Sequence, residues 1–292
     1  MNRIYFGLLA LSIALSSCSS TTTPANNPGI SGTLYYNTLS ELHKVNLATD
    51  KVTNISNTRG SNVLADGRIL TVADNGLAII SADGAQTQII VKQQHDVPFN
   101  ITFDDFFHDP QLSPDKLSIA YDDGKVSPMC YVVDLSGTLL WTIGDPTPNA
   151  TARYERPVWG KDGSLYVQGK QTFNNGIFKI DKNFQTIKRI DPSLTAVAMP
   201  SVSPDGTTIA FVVNSDIWLM NTDGSNARAL TTGKLSLTYP TWSPDGKWIA
   251  CLGPAFDIFF LPTAGGTIVM SSTAAPNLKS DEAIGGFEMD WK

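Results

Sequence analysis

The stretch "PSVSPDGTTIAFVVNSDIWLMNTDG", residues 200–224, is nearly repeated by "PTWSPDGKWIACLGPAFDIFFLPTAGG", residues 240–266. Ser-Pro-Asp-Gly recurs intact, and Asp205 and Asp245 stand 40 positions apart. A fixed period of this size marks an architecture built from stacked copies of one supersecondary unit. Working back along the chain, the same turn appears as Lys161-Asp162-Gly163, Pro114-Asp115-Lys116 and Ala65-Asp66-Gly67, with steps of 43, 47 and 49 between aspartates. The turn chemistry explains the residues. Proline presets φ, aspartate bonds back to the local backbone, and glycine takes the left-handed conformation that closes a hairpin.

Each turn is preceded by a short strand ("PQLS", "PVWG", "PSVS", "PTWS") and followed by an apolar one ("RILTVA", "LSIAYD", "SLYVQG", "TTIAFVV", "KWIACLG"). A third strand follows ("LAIISADG", "CYVVDLSG", "IFKIDKN", "DIWLMNTDG", "DIFFLPTAGG"), then a fourth ("TQIIV", "LLWTIG", "TIKRID", "ARALT", "TIVMS"). Four antiparallel strands in about forty residues make a propeller blade. Near the start, "GTLYYNTLSELHKVNLATDKVTNIS" supplies only three strands, and "FEMDWK" at residues 287–292 fits the missing slot, with Trp291 aligned to Trp242 and Trp159. The expected fold is all-β: a six-bladed β-propeller spanning residues 30–292, whose first blade is closed by the C-terminal strand so that no sheet edge stays open there.

Ahead of the repeats lies "MNRIYFGLLALSIALSSC". Arg3 gives a positive start and Ile4 to Leu15 an apolar run too short to span a bilayer but suited to an export signal. Leu15-Ser16-Ser17-Cys18 resembles the lipobox of bacterial lipoproteins. The expectation is a signal peptide over residues 1–17, lipidation of Cys18 by diacylglycerol and an acyl chain such as palmitate, and a polar tether over 18–29. Several acyl chains on one cysteine make anchoring stable. Ser19, rather than aspartate, follows the cysteine; by resemblance to the lipoprotein sorting rule this implies the outer membrane, facing the periplasm. Cys130 and Cys251 fall on opposite sides of the expected ring, too far apart for a disulfide, and read as small buried hydrophobes.

The repeat "YPTWSPDGKWIA…DIWLMNTDG…LT" resembles that of TolB, the periplasmic protein of the Tol–Pal envelope system. The resemblance implies a propeller that binds protein partners. The expected lipid anchor, and the expectation of no room for a separate N-terminal domain, set this chain apart from it. The same repeat type also occurs in peptidase propellers and oligogalacturonate lyases.

The 292 residues carry a formal charge of −6 and only 16% charged residues, with no basic face to neutralise phosphates, so a nucleic-acid partner is not expected. There is no G-x-S-x-G, H-E-x-x-H, C-x-x-C or Gly-rich phosphate loop, and no cofactor is expected beyond the lipid on Cys18. One cluster between the second and third blades, "QQHDVPFNITFDDFFHDPQ", holds His95, Asp104, Asp105 and His108. It reads either as a metal site, which would suit a metal-dependent carbohydrate-active enzyme, or as an acidic surface loop pinned by its phenylalanines.

Loop lengths point elsewhere. Links between strands one and two, and three and four, open on one face and are short. The other links open on the opposite face and include residues 93–109, 145–156 and 271–286. Long loops at one end of a rigid scaffold are where binding usually resides. The residues just before each repeat's proline should ring the channel mouth there: Asp109, Arg156, Met199 and Tyr239, joined by Phe287 or Glu288 from the closing strand. Mixed charge with aromatics suits a protein or peptide partner. Alternatively, Tyr239 and Met199 plug the channel. The expected function is a non-enzymatic, envelope-anchored binding scaffold, with an envelope assembly factor or the metal-dependent enzyme as alternatives.

Overall fold

The computed structural model describes residues 27–37, 41–56, 59–73, 76–92, 108–124, 128–144, 152–171, 174–192, 194–233, 235–278 and 286–292. The signal segment, Cys18, most of the tether, His95, Asp104 and Asp105 lie outside them. No described helix is long and apolar enough to cross a membrane.

The described chain forms six four-stranded antiparallel sheets. Blade 1 holds β1 (Thr33–Asn37), β2 (Leu42–Asn46) and β3 (Lys51–Ser56). Blade 2 holds β4 (Arg59–Val63), β5 (Ile69–Ala73), β6 (Gly76–Ile80) and β7 (Thr87–Lys92). Blade 3 holds β8 (His108–Leu112), β9 (Ser118–Asp122), β10 (Cys130–Asp134) and β11 (Leu139–Ile143). Blade 4 holds β12 (Arg153–Trp159), β13 (Leu165–Gln171), β14 (Asn174–Ile180) and β15 (Ile187–Arg189). Blade 5 holds β16 (Val197–Val202), β17 (Thr208–Val213), β18 (Asp216–Asn221) and β19 (Arg228–Ala229). Blade 6 holds β20 (Thr238–Trp242), β21 (Trp248–Leu252), β22 (Ile258–Pro262) and β23 (Val269–Met270), followed by one helical turn, α1 (Ser271–Ala274), and by β24 (Gly286–Trp291).

The closing strand falls where the sequence puts it. β24 pairs antiparallel with β1, with Leu34 opposite Trp291, and Thr33 and Lys292 exchange backbone bonds of 2.6 and 2.9 Å. The first strands touch neighbour to neighbour in an unbroken circle, β24, β4, β8, β12, β16, β20 and back to β24. They therefore line the central channel.

Neighbouring blades share their cores. Six clusters of buried apolar side chains form, one at each joint. Leu219 and Ile217 of blade 5 pack with Trp242, Cys251 and Phe259 of blade 6, for example. The second strands are buried on both faces, as in β9 and β21, which explains their continuous apolar runs instead of alternation. Cys130 and Cys251 are free and fully buried in two different joints, and desolvation pushes both thiols up.

The serine of Ser-Pro-Asp-Gly also works in the repeated turns. Ser203 Oγ donates to the Asp205 carboxylate at 2.6 Å while accepting the Thr208 N–H at 3.0 Å. Ser243 does the same with Asp245 and Trp248, at 2.7 and 2.9 Å. The serine thus ties the aspartate to the start of the next strand. These bonds hold the Asp205 and Asp245 carboxyls below their usual range.

One loop departs from the expectation. The sequence places the segment from residue 271 on the long-loop face, but its described part runs back along the joint between blades 6 and 1. Ala274, Ala275 and Leu278 are buried there with Leu34, Val45, Phe260 and Trp291. The Asn277 N–H reaches the Asp50 carboxylate, on the β2–β3 turn, at 2.9 Å. Apolar side chains in a chain segment that could cover an open joint are better placed there than in water.

Candidate functional site

In blades 3 to 6 the inner strand is interrupted at the same place. Pairing slips between His108 and Gln111, Glu155 and Val158, Ala198 and Ser201, and Thr238 and Thr241. Two residues on the inner strand oppose one on its neighbour, which defines a β-bulge. Proline occupies the second bulged position each time (Pro110, Pro157, Pro200, Pro240) and removes an N–H that the ladder cannot use there. The first position is Asp109, Arg156, Met199 or Tyr239, and all four take a left-handed backbone, with φ of 49, 55, 54 and 53°. For a non-glycine residue this costs about 1–2 kcal/mol.

The bulge turns these side chains toward one another across the channel. Asp109 Oδ2 lies 3.3 Å from Arg156 Nη1. Arg156 Nη2 donates to Tyr239 Oη at 3.4 Å, and its guanidinium carbon sits 4.9 Å from the centre of the Tyr239 ring. The Tyr239 N–H points at Met199 Sδ, 3.4 Å away. Four blades thus contribute to one connected group. It lines a cavity of about 460 Å³ that also receives Asp290 and Lys292 of the closing end. The side chains of Phe287 and Glu288 are outside the described residues. His108 starts β8 with an exposed side chain, and among the described residues no three metal-ligating side chains gather.

Three supporting residues escaped the sequence reading. Asp122 ends β9 opposite His108 and accepts the bulge N–H of Arg156 at 2.9 Å and, from the link that follows β9, the Gly124 N–H at 3.0 Å. Gln168, at the matching position of the next blade, accepts the Met199 N–H at 2.9 Å. Three bulge N–H groups freed from their own ladders, those of Arg156, Met199 and Tyr239, are therefore taken up by a side chain of the preceding blade. Burial, and then the nearby Asp109 carboxylate, push Asp122 up to about 7, against the two N–H groups and Arg156. The third residue, Asp290, accepts the Val63 N–H at 2.7 Å and pairs with Lys292 at 3.1 Å; burial raises it against both. A polar residue opposite a bulge was the available signal. It reads as ordinary strand polarity until the bulge is known.

The tryptophans aligned in the sequence also stitch the ring. Trp159 donates to the Gln111 carbonyl at 3.1 Å and Trp242 to the Ser201 carbonyl at 3.0 Å, each on the preceding blade. Trp291 instead reaches Ser31, at 2.8 Å.

The family described as the dipeptidyl peptidase IV (DPP IV) N-terminal region matches residues 164–239. The uncharacterized peptidase YuxL of Bacillus subtilis is 33% identical over 88 residues, which span 25% of this chain and 13% of that peptidase. Among solved structures, a putative TolB from Agrobacterium tumefaciens superposes with a TM-score of 0.61 at 19% identity, over 82% of this chain and 87% of that one. TolB from Acinetobacter baumannii gives 0.62 at 15% identity, over 89% of this chain and 66% of that one. These identities speak for the fold, and the ring of four-stranded blades speaks for the same one. By its fold, the chain is a TolB-like six-bladed β-propeller.

Proposed function

We propose that this chain is a non-enzymatic binding scaffold of the bacterial envelope, and that the channel mouth formed by Asp109, Arg156, Met199 and Tyr239 docks a protein or peptide segment. One observation carries the reading: four matched positions keep functional side chains in a backbone conformation that glycine would adopt without strain. Strain retained at one locus is a pointer to use. An aromatic face, an arginine, an acid and a methionine around one concave opening offer stacking, charge-assisted hydrogen bonds and an adaptable apolar contact. Residues 1–17 would direct export, and Cys18 would carry the lipid that holds the ring, through the 18–29 tether, at the outer membrane facing the periplasm. The peptidase likeness covers too little of either chain to bring a hydrolytic reading with it.

The test is a crosslinking pull-down from membranes, comparing the wild type with Asp109→Ala/Arg156→Ala/Tyr239→Ala. A specific protein lost in the variant supports docking at the mouth. Identical capture by both, with the variant still folded by circular dichroism, makes the four side chains a channel plug.

A further inference from the structure

Among the described residues seven large apolar side chains are exposed, and five of them belong to blade 3: Leu117, Leu135, Leu139, Leu140 and Trp141. The other blades provide an internal control. At the position of Leu117 they carry Gly32, Arg68, Ser164, Thr207 and Lys247, and at that of Leu135 they carry Leu47, Ala82, Lys182, Thr222 and Thr263, with Leu47 buried. Among the described residues, blade 3 alone places an exposed leucine at each of these two positions. The pairing of β10 and β11 skips Leu140, with Val133 opposite Leu139 and Val132 opposite Trp141. This bulge leaves three successive apolar side chains of the outermost strand in water. Exposed apolar area gathered on one side of a soluble fold marks an interaction surface.

We propose that blade 3 is a self-association surface, and that its occupant is a second copy of this chain related by a two-fold axis. The five apolar side chains carry no charge, and the groove beside them mixes both signs, with Asp115, Asp162, Lys161 and Lys182, so the surface selects neither an acidic nor a basic partner. Beside it, the exposed Asp115 and Lys116 are adjacent and opposite in sign. Across a two-fold axis the aspartate of one copy can face the lysine of the other, and the reverse pair follows by symmetry. The shape is also self-matching. Leu117 projects, 65% exposed, next in the chain to Ser118, which borders a groove of about 530 Å³ between blades 3 and 4 whose apolar wall is Leu140, Trp141 and Phe184 and whose rim is charged. The bulge at Leu140 blunts strand-to-strand extension, so the contact is made by side chains. It uses residues distinct from the channel mouth, so neither proposal depends on the other.

Sedimentation equilibrium of the full chain in a density-matched mild detergent tests this. The wild-type protein mass per particle should rise with concentration from one chain to two. Leu139→Asp/Trp141→Asp should weaken association by at least ~30-fold, the loss of a hot-spot contact worth about 2 kcal/mol. Ile187→Asp, on blade 4, should leave it unchanged. The variant carries the same expected anchor, so two unrelated chains sharing a micelle would not show this difference. A wild type that stays at one chain throughout overturns the proposal, as does a dimer indifferent to the double variant. A monomeric wild type that floats with phosphatidylethanolamine/phosphatidylglycerol vesicles, and loses that binding in the variant, also overturns it and assigns the patch to a lipid surface.

Discussion

Two sets of left-handed residues sit at opposite ends of the inner strands. At the short turns the conformation is filled by Gly67, Gly163, Gly206 and Gly246, with φ of 83, 83, 79 and 69°. At the channel mouth it is filled by an aspartate, an arginine, a methionine and a tyrosine. Where only geometry is required, the chain uses the residue that supplies it freely at four of these five turns, Lys116 being the exception. Where it accepts strain, the side chain must matter more than the strain costs. Phe184 follows the second logic. It holds φ at 56° in the position that Gly84, Gly137, Gly224 and Gly265 occupy in other blades. There its ring stacks on Trp141 at 5.2 Å and meets Trp159 edge-on at 6.2 Å.

The comparison breaks most sharply where a turn glycine is needed for space as well as for φ. A Cβ on Gly224 would lie 2.1 Å from the Ile190 carbonyl oxygen, whereas around Gly246 nothing lies within 4 Å. Gly224→Ala should therefore cost about 3 kcal/mol or more, and Gly246→Ala about 1 kcal/mol, measured by urea unfolding. Similar losses would reduce both turns to conformation alone.

Next in size is the mouth. Arg156→Gln removes the cation beside Asp109 and Asp122 and should cost about 2–3 kcal/mol at pH 8. Asp122 is raised in the fold, so the native state holds its proton at pH values where the unfolded chain has lost it. Its contribution is complete below the unfolded value near 4 and is lost as pH rises to about 7. The penalty of Arg156→Gln should accordingly shrink at pH 5, where Asp122 is protonated and needs less compensation. A penalty equal at pH 5 and pH 8 would show that the guanidinium acts through packing instead.

The smallest effect sharpens the comparison from the turn side. Lys116 holds φ at 64° where its siblings have glycine, and its N–H makes the same 2.9 Å turn bond to the Ser113 carbonyl. Lys116→Gly should stabilise the fold by about 0.5–1 kcal/mol, seen as a higher melting temperature. No gain would mean that the lysine side chain has a use at this turn.

Much of this architecture was legible because the physics of a blade repeats. Turn chemistry fixed the phase, apolar runs marked the buried second strands, and Trp291 found its slot by alignment with Trp159 and Trp242. The four mouth residues could be picked out because a proline follows each. Their backbone conformation could not, since a bulge depends on the facing strand. Asp122 and Gln168 were hidden for the same reason: their partners are N–H groups of the next blade. The descent of residues 271–278 into the joint was missed because Ala274, Ala275 and Leu278 have no strand or helix period.

The bond from Trp291 to Ser31 closes a loop of 260 residues. During synthesis or export from the amino end, β1 must wait with its inner edge bare until β24 emerges. The ring thus behaves as a bracelet with its clasp at the far end: five links can form in passing, but the circle locks only once the last strand arrives. A chain trimmed just before β24 would keep nearly all its turns and lose the fastening that makes the blades one object.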